Sequence, residues 1–279
     1  MTDQQKVILN MMKWFHNFCE THNLHYFLIG GTLLGAVRHN GFIPWDDDAD
    51  VGMPRGDYEK FIDLTKSINT PYCVESPKNC KSDYQWPFAK VYDPNTTLIE
   101  NSNIKCVRGV WMDIFPIDGT LNGGRRIFKY SISRALLNVL ALKKIAVKTD
   151  RAPWKKVVIA LFKPLSNCIS TLWLIKLIDN FCAESDFSES EYMADMVWGS
   201  GWKCHTPKYF WDNPKLYKFE DSFFFGIADS DKYLTQLYGN YRELPSVENR
   251  VNHDVLYVDL MHGWDSFETQ KCLNKLLTR

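Results

Sequence analysis

Apolar residues recur every three or four positions at the start of the chain. Val7, Ile8, Met11, Phe15, Phe18 and Cys19 mark one face of an amphipathic helix. Thr2 and Gln5 have the spacing of a capping box, so the pattern predicts a helix from there to about Thr21. The period then shortens. H-Y-F-L-I-G (25–30) reads as a buried strand that stops at Gly30-Gly31. Thr32 is placed to cap a helix over T-L-L-G-A-V-R (32–38), which Asn40-Gly41 would end. Residues 47–53 predict a second strand, and D-Y-E-K-F-I-D-L-T-K-S (57–67) a helix with Asp57 near its N-cap. Strand patterns follow at 86–92, 96–100 and 110–115, and residues 229–239 predict a helix capped by Asp229 or Ser230 and ended by Gly239. Strand, helix, strand, helix and then further strands imply an α/β (α+β) fold on a mixed sheet flanked by helices.

Residues 125–182 break this pattern. They hold twelve Lys/Arg against two Asp, a surplus of ten positive charges that the rest of a formally neutral chain must balance. Apolar residues are interleaved throughout, as in S-R-A-L-L-N-V-L-A-L-K-K. A basic amphipathic insert of this kind suits peripheral contact with an anionic membrane surface, or it is a helical subdomain whose Lys and Arg form the solvated face. No stretch reaches the ~18 apolar residues of a transmembrane helix. The N-terminus lacks the pattern of a signal peptide, so a cytoplasmic protein working at the inner face of the membrane is expected. Zero net charge gives no argument for a nucleic-acid partner. The eight Cys include no C-x-x-C pair, which argues against a zinc module.

Chemistry concentrates in W-D-D-D-A-D-V-G (45–52), four carboxylates within five positions. An EF-hand starting at Asp46 would need Gly at its sixth position and Glu at its twelfth; Val51 and Asp57 stand there instead. Read as a strand, the segment puts Asp46, Asp48 and Asp50 on one face and Asp47 on the other. Alternate carboxylates suit a hard divalent cation, Mg²⁺ or Mn²⁺. Upstream, Gly30, Gly31 and Thr32 open a helix whose free N–H groups favour a phosphate. Downstream, Asp113 interrupts the apolar run G-V-W-M-D-I-F-P, a costly position unless the carboxylate is paired or bound to metal.

Three carboxylates beyond a glycine-rich turn resemble the hG[GS]…[DE]h[DE]h…[DE] arrangement of nucleotidyltransferases. The longer run F-L-I-G-G-T-L-L-G-A-V-R-H-N-G-F-I-P-W-D-D-D-A-D-V-G-M-P-R-G-D-Y-E-K-F (27–61) resembles the signature of the LicD family, phosphotransferases related to fukutin and fukutin-related protein. Segments 87–100, 109–119 and 233–245, with Arg250 and His253 beyond, match that family in order. The resemblance implies a nucleotidyltransferase-like core in residues 1–124, a variable insert at 125–182, and the rest of the catalytic domain in 183–279.

It also implies transfer of a phosphorylated alcohol, phosphocholine or a polyol phosphate, from a CDP-linked donor to a sugar hydroxyl, with release of CMP. The acceptor would be a cell-surface glycan such as lipopolysaccharide or teichoic acid, or a lipid-linked precursor. Asp48, Asp50 and Asp113 are then the expected catalytic metal ligands, with Asp46 beside them and Asp113 the candidate base. Gly30, Gly31, Thr32, Arg38 and Lys90 are expected at the donor phosphates, and Arg250 and His253 are candidate substrate contacts. A D-x-D glycosyltransferase and a nucleotidyltransferase releasing pyrophosphate use the same residue types and stand as alternatives.

Overall fold

The computed structural model describes residues 1–102, 104, 106–144, 153–184, 187, 189–197, 201–250, 255–266, 269 and 270. The capping box forms as its spacing predicts: Thr2 Oγ1 accepts from Gln5 N at 3.1 Å and Gln5 Oε1 accepts from Thr2 N at 2.8 Å. Helix α1 (Asp3–Thr21) follows and buries Ile8, Met11, Phe15, Phe18 and Cys19 on one face. The first strand, β1 (Phe27–Leu28), is shorter than the apolar run suggested. Helix α2 (Gly30–His39) begins two residues before Thr32, with Ile29 at its N-cap and no side-chain cap. Thr32 is therefore inside the helix, and Asn40, left-handed at φ 55°, ends it.

Strand β2 (Asp50–Pro54) starts later than expected, and helix α3 (Arg55–Ser67) follows directly, with Pro54 rather than Asp57 at its N-cap. Then come β3 (Cys73–Glu75), β4 (Ala89–Tyr92), β5 (Thr97–Glu100), β6 (Val107–Arg108) and the ten-residue β7 (Trp111–Thr120), buried along its whole length. Three helices occupy the basic region: α4 (Gly124–Lys144), α5 (Pro153–Asn167) and α6 (Thr171–Ala183). The remainder supplies β8 (Tyr192–Ala194), β9 (Thr206–Pro207), β10 (Pro214–Phe219), β11 (Ser222–Ile227), α7 (Ser230–Tyr238) and β12 (Val255–Asp259). Helix α7 carries the expected Asp229 cap, whose carboxylate accepts from Lys232 N, and ends at Gly239.

The main sheet runs β10-β11-β1-β2-β7-β4-β3, with β8 joining β7 and β9 joining β8; β12-β5-β6 form a second, smaller sheet. It is mixed: β1 with β11 and β2 with β7 are parallel, and the other pairs are antiparallel. A parallel sheet centre must be covered on both faces, and β7 shows no solvent-facing position.

The basic helices are not simply solvated on their charged side. On α4 the buried stripe is Lys129, Ser133, Leu137, Leu140 and Lys143. Lys129 Nζ donates to Cys182 O at 3.1 Å, and Lys143 Nζ donates to Ser166 O at 2.9 Å and Ile169 O at 2.7 Å. These carbonyls lie in the last turns of α6 and α5 or just beyond, where helix acceptors lack internal partners. Helix α6 is fixed to the core by Asp179, which accepts from Arg55 Nη1 at 2.6 Å; the same guanidinium forks onto Asp118 of β7 at 2.7 and 2.8 Å. Among the described residues no single helix is long and apolar enough to cross a membrane.

Candidate active site

The central parallel pair sets the geometry. Asp50 of β2 is the direct partner of Asp113 on β7, and Asp113 is in turn opposite Lys90 on β4 and Lys90 opposite Glu75 on β3. Directly opposed residues present their side chains to the same face, so one row across four strands carries charge. Carboxylate oxygens of Asp48, Asp50 and Asp113 lie within 4.8 Å of one another. A second trio, Asp46, Asp47 and Asp48, meets the same limit, with Asp48 common to both. Asp47 does not point away as strand alternation predicted, because residues 46–49 precede the strand and period-two alternation does not apply to them.

Helix α1 holds this loop in place. Gln5 Nε2 donates to Asp46 O at 2.8 Å and Gln4 Nε2 to Asp47 O at 2.9 Å. Gln5 thus caps α1 with one end of its amide and anchors the acidic loop with the other. Asp113 N donates to Ala49 O at 2.8 Å, and Asp50 N donates to Thr32 Oγ1 at 2.7 Å. Thr32 therefore reaches the site by gripping the β2 backbone.

The N-terminus of α2 faces the carboxylates. A Cβ at Gly31 would stand 2.9 Å from Asp46 Oδ2, and one at Gly30 would stand 3.4 Å from Asp50 Oδ2. Gly30 also takes φ +53°, where a Cβ is disfavoured. The glycines let acidic side chains and the N-terminal N–H groups of α2 share one space, which suits a cation and a phosphate together.

Electrostatics agree with that reading. Burial first, then Asp48, Asp113 and Asp46, raise Asp50 well above the ordinary carboxylate range. Burial raises Asp113 to about 6, although Lys90 pulls it back down. Lys90 is 1% exposed, so it is not an edge lysine reaching solvent; its Nζ is 2.7 Å from Asp113 Oδ1 and lies 4.2 and 4.6 Å from the ring centres of Trp111 and Trp86. Lys144, at the end of α4, extends the same aromatic contact at 5.2 Å from Trp86, and burial lowers its ammonium to about 8.

Other expected residues take different places. Arg38 Nη1 donates to Tyr241 O at 2.8 Å and its Nε is 3.0 Å from His39 Nε2, so this guanidinium ties α2 to the chain beyond α7. The Arg250 guanidinium lies 4.5 Å from the ring centre of Trp45, beside the acidic loop. His253 lies outside the described residues.

The structure adds residues that periodicity could not single out. A cavity of about 180 Å³ opens from Gly30, Gly31 and Asp50, and its wall includes Phe115, Asp195, Trp211, Tyr233 and Tyr238. Burial, then Asp50, Asp46 and Asp48, push the Tyr238 phenol up. The turn at 201–205 buttresses the helix that carries it: Gln236 Nε2 donates to Lys203 O and His205 O, and Lys203 Nζ donates to Leu237 O. Each residue stands more than 140 positions from the acidic loop, except Phe115, so sequence spacing held no signal.

Comparison with known proteins places this geometry. Residues 23–123 match the LicD/FKTN/FKRP nucleotidyltransferase domain. The chain is 31% identical over 260 residues to the lipopolysaccharide cholinephosphotransferase LicD of Haemophilus influenzae, covering 91% of this chain and 96% of that one. A shorter stretch, 34 residues at 53% identity, is shared with the ribitol 5-phosphate transferase FKRP of Homo sapiens, covering 12% of this chain and 7% of that one. The match to the cholinephosphotransferase covers nearly the whole of both chains, and on that evidence the chain belongs to the LicD family and is a LicD-type transferase.

Proposed function

We propose that this enzyme transfers a phosphorylated alcohol from a CDP-linked donor to a sugar hydroxyl of a cell-surface glycan or its lipid-linked precursor, releasing CMP. The observation that carries the reading is the set Asp48, Asp50 and Asp113 facing the glycine-opened N-terminus of α2. Oxygen donors within 4.8 Å of one another, with Asp50 destabilised as an anion, fit a hard divalent cation. Mg²⁺ or Mn²⁺ held by Asp48, Asp50 and Asp113, with Asp46 adjacent, would neutralise charge on the donor's pyrophosphate.

The chain's own groups do the rest. The N–H of Gly31, with the α2 dipole behind it, holds a donor phosphate. Asp113, placed between Lys90 and the other two carboxylates, accepts the proton of the attacking sugar hydroxyl. The acceptor oxygen bonds to the phosphorus that carries the alcohol, the bridging P–O bond breaks, and CMP leaves. Lys90 keeps Asp113 ionised and fixed.

Choline is the donor alcohol favoured by two observations. The relative matched over most of the chain is a cholinephosphotransferase. The cavity beside Gly30 is walled by four aromatic residues with Asp195, groups suited to a quaternary ammonium. Thermal unfolding with CDP-choline, CDP-ribitol, CDP-glycerol and UDP-glucose, each with Mg²⁺, Mn²⁺ or EDTA, tests the reading. A donor at 100 times its Kd adds about 2.7 kcal/mol. Metal-dependent stabilisation by CDP-choline is expected, and stabilisation by UDP-glucose alone would overturn the reaction class. Asp195→Asn is expected to raise KM for CDP-choline about tenfold, the effect of losing roughly 1.4 kcal/mol of ground-state binding, with CDP-ribitol little affected. An equal loss for both donors would remove the headgroup assignment.

A further inference from the structure

The outer surface of the basic region reverses the usual distribution of a soluble helix. Lys129 and Lys143 are buried on backbone carbonyls, while Leu161, Phe162 and Leu165 of α5 and Trp173 of α6 are 67%, 51%, 66% and 56% exposed. Between Ala160 and Asn167 only Ser166 is buried. Leu161 and Leu165 are one helical turn apart and share a face. Helices α5 and α6 meet at a 92° bend, and Lys143 binds Ser166 O and Ile169 O on its inner side. Water would not select four large apolar side chains at one such corner.

We propose that the α5–α6 corner docks on an anionic lipid bilayer, with Leu161, Phe162, Leu165 and Trp173 seated at the headgroup boundary. Charge complementarity commits the surface to this occupant. Residues 125–182 carry a surplus of ten positive groups, and one of their two acidic residues, Asp179, is consumed by Arg55 inside the fold. Arg125 and Lys176 are exposed and Lys163 is partly exposed on the same three helices. The proposed contact lies in the plane of the interface; no single described helix is long and apolar enough to cross, and α5 and α6 meet that length and composition only together, across their 92° bend. This docking is independent of the donor reading above.

Flotation of the full chain with vesicles tests it, using phosphatidylcholine alone and phosphatidylcholine with one-third phosphatidylglycerol. Binding to the anionic vesicles is expected, with little binding to the neutral ones. The variant Leu161→Ser/Phe162→Ser/Leu165→Ser is expected to bind roughly 100-fold more weakly, as removal of three inserted apolar side chains requires, with its Tm and donor-induced thermal shift unchanged. Three results would overturn the proposal: no binding to anionic vesicles, equal binding by the variant, or a wild-type dimer in solution that the same substitutions dissociate. The last would assign the surface to a second copy of the chain.

Discussion

Replacing Asp48 and Asp50 together by Asn abolishes turnover and, in the absence of divalent cation, yields a protein more heat-stable than the wild type. Both outcomes follow from one arrangement. Three carboxylates within 4.8 Å repel one another in a largely desolvated space, and Asp50 responds by holding its proton far more tightly than an ordinary carboxylic acid. Asn keeps the shape and removes that repulsion. The same change removes two of the three oxygen anions proposed to hold the cation, so turnover should fall by about 10³-fold or more. Metal-dependent thermal shifts should vanish with it.

The pH dependence of the metal-free wild type provides a separate check. Asp113 binds its proton up to about 6 in the folded state, against 3.8 ordinarily. The folded protein thus holds more protons than the unfolded chain through that window, and stability declines as pH rises across it. Calorimetry from pH 4 to pH 7 in EDTA should show this decline, steeper in the wild type than in the double Asn variant. A metal-free variant less stable than the wild type would mean the carboxylates are compensated by contacts other than a bound cation.

The second large effect concerns the attachment of the basic region. Arg55→Met leaves Asp118, fully buried, and Asp179, 2% exposed, without their common partner. Removing one member of a buried ion pair costs about 3–5 kcal/mol, and for a chain of this length that lowers Tm by roughly 10 °C. Because the stranded carboxylates must take up protons, the loss should shrink as pH falls. Adding Asp118→Asn and Asp179→Asn should restore most of the stability, which separates stranded charge from lost packing. A Tm unchanged in Arg55→Met would show that α6 is held by its apolar face alone.

Much of this was legible in the amino-acid order because it rests on local chemistry. The Thr2–Gln5 capping box and the Asp229–Gly239 helix are set by neighbours a few residues away. The glycine turn and its acidic partners were legible for the same reason. Strand alternation misled at Asp47, since the pairing that begins β2 starts only at Asp50. The spacing places Thr32 as a cap, yet the helix starts earlier and its hydroxyl serves β2. The sequence points Lys90 at a donor phosphate, whereas its pairing depends on a register: only the β4–β7 alignment sets it against Asp113. Lys129 and Lys143 were beyond reach, because the carbonyls that receive them belong to other helices. Asp195 and Tyr238 enter the site through tertiary placement alone.

The parallel register of β2 and β7 also bears on how this site comes into being during folding. Asp50 and Asp113 are 63 positions apart, and parallel neighbours cannot be joined by a tight turn, so the segment between them must close a long loop before this pair can form. Pairings of that sequence separation form slowly. The carboxylate cluster is thus expected to assemble late, once that loop has closed. Divalent cation present during refolding should then slow unfolding more than it speeds folding, since ligands that recognise only the finished register stabilise the native state beyond the transition state.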